Sequence, residues 1–465
     1  MSWDEFAKHA KDTADWGANY HKTLRERPVR AQTAPGEIAA QLGATPPEDG
    51  IDLSAIMADF ETIVMPGITH WQHPRFFAYF NSNAAPASIL AEFLASIIAP
   101  QCMLWQTSPA ATEMETRMMD WLRHALGLPE IYQGVIQDSA SSATLAAVLT
   151  MRERALAFRG NIEGLHGQPQ LRIYCSDQVH SSIDRAIWVA GIGQDNLVKI
   201  PTTGDLRHMD PVELEAAIRK DKTAGRVPAG IIAATGATGM GACDDLKAVA
   251  RIAKAHNLYM HLDAAWAGTA MICPEFRPLW AGAEHFDSIV FNPHKWLGAQ
   301  FDCAAHFLRD PDQLRQTLAI RPEYLKTHAA EDITDYSEWS IPLGRRFRAL
   351  KLWFLMRHYG MEGLRTRIRN HVTWSQALCE QLRGHPGFEI VTNPILSLWT
   401  FKVAGASDEE TQTLVDAIND DGRIYLTQTL IDGQKVIRFT AGQFDCEERD
   451  FHTAFDAITD IASRL

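Results

Sequence analysis

The stretch Tyr259-Met-His-Leu-Asp-Ala-Ala-Trp-Ala-Gly268 has the pattern of a hydrophobic strand that ends on Asp263 and is followed by small residues. A second such pattern, Asp287-Ser-Ile-Val-Phe-Asn-Pro-His-Lys-Trp-Leu-Gly298, ends in a proline turn that presents His294 and Lys295. Successive strands that alternate with helices form a parallel sheet, and its ligands bind beyond the carboxyl ends of the strands. The two stretches therefore predict an α/β fold with Asp263 and Lys295 at one edge of the sheet.

Each of these two side chains has an ordinary interpretation when it is taken alone. An aspartate after a strand is often a helix N-cap or half of a surface ion pair, and a lone lysine is usually solvated. Lys295, however, follows a buried run and precedes Trp296, and a partly desolvated lysine can serve as an imine-forming amine. Pyridoxal 5'-phosphate (PLP) needs such a lysine and a carboxylate at its ring nitrogen. Together, Asp263 and Lys295 predict a PLP site.

A third stretch, Gly134-Val-Ile-Gln-Asp-Ser-Ala-Ser-Ser-Ala-Thr144, supplies a candidate phosphate cradle. A short apolar run gives way to small hydroxyl residues and then to a helical run over Leu145–Arg152. Main-chain N–H groups at a helix start, with the hydroxyls of Ser139 and Ser141, suit a dianion. The plainer alternative is a serine N-cap with no ligand.

The α/β pattern extends from about residue 76 to residue 345, where short β-rich runs alternate with helical stretches. It predicts a mostly parallel sheet with helices on both faces. The predicted strands and then the predicted helices are Leu171–Cys175, Gly230–Ala234, Leu258–Leu262, Ser288–Phe291, Asp184–Ala190, Pro211–Arg219 and Leu246–His256.

Two smaller regions flank this predicted PLP-binding domain of residues 76–345. Residues 1–75 contain a helical pattern over Asp4–Thr23 and then several Pro/Gly breaks, so we expect a helical segment that lies on another body such as a partner subunit. Residues 346–465 predict a small α+β domain. Its predicted helices and then its strands are Phe347–Ile368, His371–Leu382, Phe388–Val391, Leu396–Val403 and Val436–Phe439.

Composition excludes several classes of protein. The 465 residues are 46% hydrophobic and 22% charged, which is typical of globular chains, and the net charge of −13 argues against nucleic acid as a partner. Seven scattered cysteines without a C-x-x-C pair indicate neither a disulfide framework nor a metal site, and they favour a reducing compartment. Because the first ten residues lack the apolar run of a signal peptide and no membrane-length apolar run occurs, we expect a cytoplasmic protein that does not bind membranes.

Several ordered motifs, spread over nearly the whole chain, resemble the group II PLP-dependent decarboxylases, the aromatic-L-amino-acid decarboxylase family that includes DOPA, tyrosine and tryptophan decarboxylases. The motifs are Pro66-Gly-Ile-Thr-His-Trp71, His73-Pro-Arg-Phe-Phe-Ala-Tyr-Phe80, Ser108-Pro-Ala-Ala-Thr-Glu-Met-Glu115, Ser176-Asp-Gln-Val-His-Ser-Ser182, Ile272-Cys-Pro-Glu-Phe-Arg277, Asn292-Pro-His-Lys-Trp296, Ile341-Pro-Leu-Gly-Arg-Arg-Phe-Arg348 and Gly422-Arg-Ile-Tyr-Leu-Thr427.

The resemblance implies the PLP-dependent transferase type I fold, a homodimer, and a role for each matching residue. It assigns Lys295 to the covalent attachment of PLP, Asp263 to the pyridine nitrogen and His180 to stacking on the ring, although His180 alone could be a packed core histidine. The other implied cofactor contacts are Ala140, Ser141, Thr238, Ala265, Asn292 and His294. The implied substrate-binding residues, of which the aromatic ones could instead belong to the core, are Trp71, Tyr79, Phe80, Asn81 and Met103.

Tyr324 matches the loop tyrosine with which the family protonates Cα after CO2 leaves. From the residues alone it is a tyrosine in a polar stretch that runs to Ser337, and long polar loops in compact enzymes are often lids.

The sequence also departs from the family pattern. Asp138 stands where glycine is usual and Ser142 where an acidic residue is usual, and we expect the Asp138 carboxylate to point away from a phosphate that would repel it. Two further departures, Asn81-Ser-Asn83 and Gln101-Cys-Met-Leu104, fall near the implied substrate pocket. The resemblance also places Gln101–Leu104 near the neighbouring subunit's site.

The sequence thus predicts PLP-dependent decarboxylation of an L-amino acid, most simply an aromatic one, to its amine. The alternatives are an aldehyde synthase of the same family, which couples decarboxylation to oxidative deamination, and a decarboxylase of a small or acidic amino acid such as glutamate. In the family, aldehyde synthesis accompanies loss of the loop tyrosine or replacement of the stacking histidine, and both Tyr324 and His180 are present. A catalytically idle PLP-binding protein is disfavoured because Lys295 and Asp263 are retained.

Overall fold

A computed structural model describes residues 1–320 and 333–465 of the chain. In chain order the strands are β1 (Gln133–Gln137), β2 (Leu171–Ser176), β3 (Leu197–Ile200), β4 (Thr202–Thr203), β5 (His208–Met209), β6 (Val227–Ala234), β7 (Tyr259–Asp263), β8 (Ser288–Phe291), β9 (Ala304–Leu308), β10 (Phe388–Ile395), β11 (Leu398–Val403), β12 (Thr427–Ile431) and β13 (Gln434–Thr440). The α-helices are α1 (Trp3–Thr23), α2 (Leu53–Asp59), α3 (Pro86–Ile98), α4 (Pro109–Leu126), α5 (Ala140–Ala155), α6 (Gly160–Glu163), α7 (Ser182–Val189), α8 (Pro211–Thr223), α9 (Leu246–His256), α10 (Pro311–Leu318), α11 (Arg348–Arg383), α12 (Asp408–Asp421) and α13 (Glu448–Ala462).

Within the described ranges, seven strands form one sheet in the order β1-β9-β8-β7-β6-β2-β3. The pairs from β8 to β3 are parallel, whereas β9 runs antiparallel to both of its neighbours. The mostly parallel α/β sheet predicted from the sequence is therefore confirmed. Its central strands are buried on both faces, which explains why they are nearly continuous hydrophobic runs.

Alternate residues of β2 show that helices cover both faces of this sheet. Ile173 and Cys175 pack in one core cluster with residues of α5 and α7. Tyr174, between them, points to the opposite face, where its hydroxyl donates to the Asp221 carboxylate of α8 at 2.8 Å. Helices thus shield the sheet on either side, and the carboxyl ends of the strands carry the polar residues.

A second sheet, with the order β10-β11-β13-β12, belongs to the C-terminal part of the chain. The predicted strands at 388–391, 396–403 and 436–439 overlap observed strands, although residues 396 and 397 form the turn between β10 and β11. Strand β12 was not predicted. Only Ile431 of its five residues is buried, so its sequence, Thr-Gln-Thr-Leu-Ile, lacks the apolar alternation that marks a strand facing a core. Antiparallel pairing with β13 defines β12 instead.

The prediction of two helices, at 347–368 and 371–382, is wrong in the position of the break between them. The helical stretch α11 continues through residues 369 and 370, and it is interrupted instead at Gly360, which has φ 63° and ψ 161°. This backbone conformation is strained for any residue with a Cβ, so a glycine marks the break.

By its internal contacts the chain divides into two compact units. One contains residues 1–81, 374–392 and 400–465, and the other contains residues 82–373 and 393–399. The predicted three-part division at residues 75 and 345 stays a prediction.

The predicted N-terminal helix is confirmed as α1, which a capping box between Ser2 and Glu5 begins. No residue of α1 is buried. In the part of the chain that is described, no helix is long and apolar enough to cross a membrane.

Candidate active site

The carboxyl ends of β7 and β8 bring Asp263 and the lysine turn to the same edge of the sheet. The strands are parallel neighbours, with Asp263 paired to Val290. Beyond the strand ends, the main-chain N–H of Asn292 donates to the carbonyl of Ala265 at 2.8 Å. One Asp263 carboxylate oxygen accepts the N–H of Ala265 at 3.0 Å, so the aspartate also stabilises its own turn.

Lys295 lies half-buried at the centre of a π-helical turn, Pro293–Leu297. The side chain of Trp296, which follows it, is fully buried and stacks on Trp266 with ring centroids 4.8 Å apart and planes inclined by 8°. The Trp296 indole N–H donates to Nδ1 of His371 at 3.0 Å. Burial lowers the pKa of His371 to about 3, so its ring is a neutral acceptor. This stack holds the turn after Asp263 against the turn that carries Lys295.

His180 follows β2 and completes a group of three predicted residues. Its Nδ1 accepts the main-chain N–H of Ser182 at 3.1 Å and lies 2.8 Å from the Ser182 hydroxyl. Desolvation by surrounding protein lowers the pKa of His180; the Asp263 carboxylate opposes this shift and the Lys295 ammonium adds to it. These influences place Asp263 and Lys295 within electrostatic range of His180.

The cradle predicted at residues 134–144 forms the transition from β1 to α5. Ser139 is the N-cap of α5, and its hydroxyl accepts the N–H of Ser142 at 3.2 Å. Ser139 therefore has the capping role that was the alternative to a phosphate contact. Ala140, the first helical residue, packs in a cluster with Val290 of β8 and with Ala265. The N-terminus of α5, which carries the positive end of the helix dipole, therefore lies beside the end of β8, from which the lysine turn continues.

Asn292 and His294 flank this helix start from the lysine turn. The side-chain oxygen of Asn292 is buried and has no hydrogen-bond partner among the described residues. Nδ1 of His294 accepts the N–H of Cys303 at 2.8 Å, and burial lowers the pKa of His294 to about 3. The ring is thus neutral with its proton on Nε2, which makes that nitrogen a donor. Thr238 lies half-buried in the loop after β6, the strand beside β7.

Asp138 precedes the N-cap of α5 and is half-buried. The hydroxyl of Ser139 lies 3.4 Å from its carboxylate. Its negative charge acts on His294 and on Arg348, which itself donates to Asp302 at 2.6 Å. Asp138 thus adds a carboxylate directly before the start of α5 and within electrostatic range of His294.

Four of the predicted substrate-binding residues lie in the compact unit that contains the N-terminus. Trp71 and Tyr79 are exposed and stacked, with centroids 5.9 Å apart, and Tyr79 approaches Tyr425 at 6.1 Å. Phe80 is buried beneath the guanidinium of Arg438, 4.7 Å from the ring centre. The side-chain amide of Asn81 donates to the carbonyl of Phe76 at 3.2 Å.

Met103 belongs to the other unit, where its carbonyl accepts the N–H of Ser337 at 3.0 Å. Tyr324 lies outside the described residues.

The profile of the family described as "Pyridoxal-dependent decarboxylase conserved domain" matches residues 35–404. The chain belongs to this family. It is 39% identical to the aromatic-L-amino-acid decarboxylase of Mus musculus, over 100% of this chain and 99% of the relative. It is 36% identical to the phenylacetaldehyde synthase of Arabidopsis thaliana, over 100% of this chain and 97% of the relative.

The solved structure of Oryza sativa TDC with PLP and tryptamine superimposes on this decarboxylase with a TM-score of 0.96. The two share 34% identity, and the match covers 100% of this chain and 99% of that one. The predicted fold, the PLP cofactor and the carboxy-lyase class are therefore confirmed.

The residues of the decarboxylase fit the cofactor. An amine, a carboxylate, an imidazole, a helix N-terminus and a buried amide with an unused oxygen converge at one sheet edge, and these are the groups that a phosphorylated pyridine aldehyde requires. Sequence reasoning missed Trp266 and His371, which support the lysine turn. The positions of Trp266 shortly after Asp263 and of Trp296 directly after Lys295 were the available signal.

Proposed function

We propose that this decarboxylase converts an aromatic L-amino acid to the corresponding amine and CO2. The observation that carries the proposal is the convergence of Lys295, Asp263 and His180 beside the N-terminus of α5. The aromatic preference rests on the relatives, whose names specify aromatic substrates or products.

We assign roles to the site residues on this basis. Bound PLP withdraws electrons from the Cα of an attached amino acid, which makes loss of the carboxylate feasible. Lys295 would attach the cofactor covalently, Asp263 would hold a proton at its ring nitrogen, and His180 would stack on the ring. The remaining cofactor contacts are Ala140, Ser141, Thr238, Ala265, Asn292 and His294.

We propose Trp71, Tyr79, Phe80, Asn81 and Met103 as the substrate-binding residues. The exposed, mutually stacked rings of Trp71 and Tyr79 support a role in contacting an aromatic side chain, because aromatic rings pair favourably by about 0.5–1.5 kcal/mol beyond the area that they bury.

An aldehyde synthase is the second candidate, and the relative from Arabidopsis thaliana favours it. After CO2 leaves, the electron pair at Cα is either protonated, which releases the amine, or oxidised by dioxygen. In the oxidative route, amino acid, O2 and water yield aldehyde, CO2, ammonia and hydrogen peroxide. We propose that the Tyr324 phenol supplies the proton and keeps the enzyme on the amine route.

The first experiment follows amine, aldehyde and peroxide together with wild-type enzyme and aromatic amino acids, DOPA and glutamate as substrates. We expect amine from one or more aromatic substrates and little peroxide. A positioned acid accelerates proton transfer about 10²–10⁴-fold, so Tyr324→Phe should lose most amine release and gain peroxide. Tyr359→Phe, which removes a phenol from α11, serves as the matched control. Stoichiometric aldehyde and peroxide from the wild type would establish the synthase instead.

A homodimer and a cytoplasmic location complete the proposal. A row of exposed apolar side chains on α3 supports a subunit interface, as does the absence of any buried residue on α1. All seven cysteines are free and buried, which supports a reducing compartment. We expect no membrane or nucleic-acid partner, in keeping with the net charge of −13.

A further inference from the structure

Two carbonyl groups of the lysine turn accept hydrogen bonds from another segment of the chain. In the π-helical turn Pro293–Leu297, the N–H groups of Gly298 and Ala299 both donate to the carbonyl of Pro293, at 3.2 and 3.1 Å. The next two carbonyls are those of His294 and Lys295. They lie near the end of the turn, where the carbonyls of a helical segment commonly accept hydrogen bonds from outside the segment. Both residues belong to the predicted PLP site.

Asn83 donates hydrogen bonds to both of these carbonyls. Its main-chain N–H donates to the carbonyl of His294 at 2.9 Å, and its side-chain amide Nδ2 donates to the carbonyl of Lys295. Asn83 is fully buried, with 0% of its surface exposed. The donors of these hydrogen bonds are therefore shielded from water, and a buried donor that lost its acceptor there would bear a desolvation cost.

The residues that follow Asn83 make further hydrogen bonds to the residues that follow the turn. The N–H of Ala85 donates to the carbonyl of Gly298 at 2.9 Å, and the hydroxyl of Ser88 accepts the N–H of Gln300 at 2.6 Å. Residues 83–88, which include the first turn of α3, thus form a clamp along residues 294–300. Within this clamp, Asn83 contacts Lys295 itself.

We propose that Asn83 is a positioning residue for Lys295. It anchors the main chain from which the lysine amine projects, and so sets where that amine meets the aldehyde carbon of PLP. The sequence singled out Asn83 only as part of a departure near the substrate pocket. The proposal rests on PLP dependence and is independent of which amino acid is decarboxylated.

The test uses Asn83→Asp, which keeps the side chain's shape but places a carboxylate against the Lys295 carbonyl, and Asn83→Ala, which removes the amide. The main-chain bond to His294 remains in both. Asn419→Ala is the matched control, because Asn419 is also a buried asparagine whose side chain bonds to main chain. Its Nδ2 donates to the carbonyl of Leu426 at 3.1 Å, and its Oδ1 accepts the N–H of Leu426 at 3.0 Å.

For each variant we would measure the PLP dissociation constant, the rate of borohydride trapping and the melting temperature. We would also titrate the visible absorbance of the lysine-bound cofactor against pH and record the midpoint pH. Loss of one buried hydrogen bond to the turn should raise the PLP dissociation constant roughly tenfold, with a slower trapping rate and a displaced midpoint pH. Asn419→Ala should lower the melting temperature and leave the three cofactor measurements at wild-type values.

Asn83 would be only a structural residue if both of its variants melted earlier but matched the wild type in PLP affinity, trapping rate and midpoint pH. If the variants do not fold well enough for purification, the comparison is made with Asn83→Ser, a small polar replacement, and the same cofactor measurements decide. None of these measurements requires a substrate. A negative result for Asn83 would therefore not affect the proposed aromatic decarboxylation, and a failure to decarboxylate aromatic amino acids would not affect the proposed role of Asn83.

Discussion

Two lysines of the same compact unit illustrate how little a residue type determines about chemistry. Lys351 is the more deeply buried, with 0% exposure, and burial lowers its pKa to about 8. Yet its ammonium pairs with Glu92 at 2.8 Å and donates to the carbonyl of Asp302 and to the side chain and carbonyl of Gln300. An amine held in this way is structural. Lys295, by contrast, is half-buried, and it lies within electrostatic range of His180.

We therefore expect borohydride to fix PLP to Lys295 and not to Lys351. Peptide mapping of the reduced enzyme measures this directly, and Lys295→Ala should abolish both the label and turnover. Lys351→Met, as a control, should keep the label on Lys295 even if the variant is less stable. A labelled peptide that contains Lys351 would overturn the assignment of the site.

At the scale of elements, the N-terminus of α5 combines an attractive and a repulsive feature for a phosphate. The dipole and main-chain N–H groups of its first turn favour a dianion, whereas Asp138 stands directly before the Ser139 cap. The charge of Asp138 is partly balanced by Arg348, but it remains within range of His294 at the same site.

Removal of this charge should strengthen cofactor binding. Asp138→Asn keeps the side chain's size, and relief of like-charge repulsion should lower the PLP dissociation constant roughly three- to tenfold at low salt, with a smaller gain at high salt. Glu213→Gln, in the first turn of α8, removes a carboxylate near another helix start and should change nothing. Weaker PLP binding by Asp138→Asn would mean that the carboxylate contributes a favourable contact.

At the scale of the whole molecule, α3 presents a continuous apolar stripe. The spacing of its members follows i, i+4 and i+8, and the stripe consists of Ile89, Leu90, Phe93, Leu94, Ile97 and Ile98. Each is 40–64% exposed. Burial of one such side chain contributes about 1.5–3 kcal/mol, so a matching stripe on a second copy would stabilise a dimer strongly.

Light scattering should accordingly give the mass of two chains for the wild type. Leu90→Asp places a charge in the middle of the stripe and should shift the enzyme to monomers with little activity. Ile162→Asp changes an apolar side chain that is 82% exposed on α6 and should remain dimeric. An active wild-type monomer would contradict the proposed homodimer.

Local patterns in the sequence were enough to predict the α/β sheet, α1, α9, β8 and the neighbouring positions of Asp263 and Lys295. Hydrophobic period, caps and turn residues act over a few positions, and parallel strands necessarily place their carboxyl ends at one edge. The same patterns were insufficient for β12, whose pairing with β13 defines it, and for the break in α11, which occurs at Gly360 where a positive φ is required.

The supports of the lysine turn depended on residues that are distant in the chain. Asn83 lies more than two hundred positions before Lys295, and the side-chain amide that contacts it differs in no local way from that of any other asparagine. His371 and Trp266 likewise meet Trp296 only in the folded chain. Hydrogen bonding and stacking of this kind are properties of three-dimensional proximity, and burial makes them strong, so they become visible only once the chain has brought these residues together.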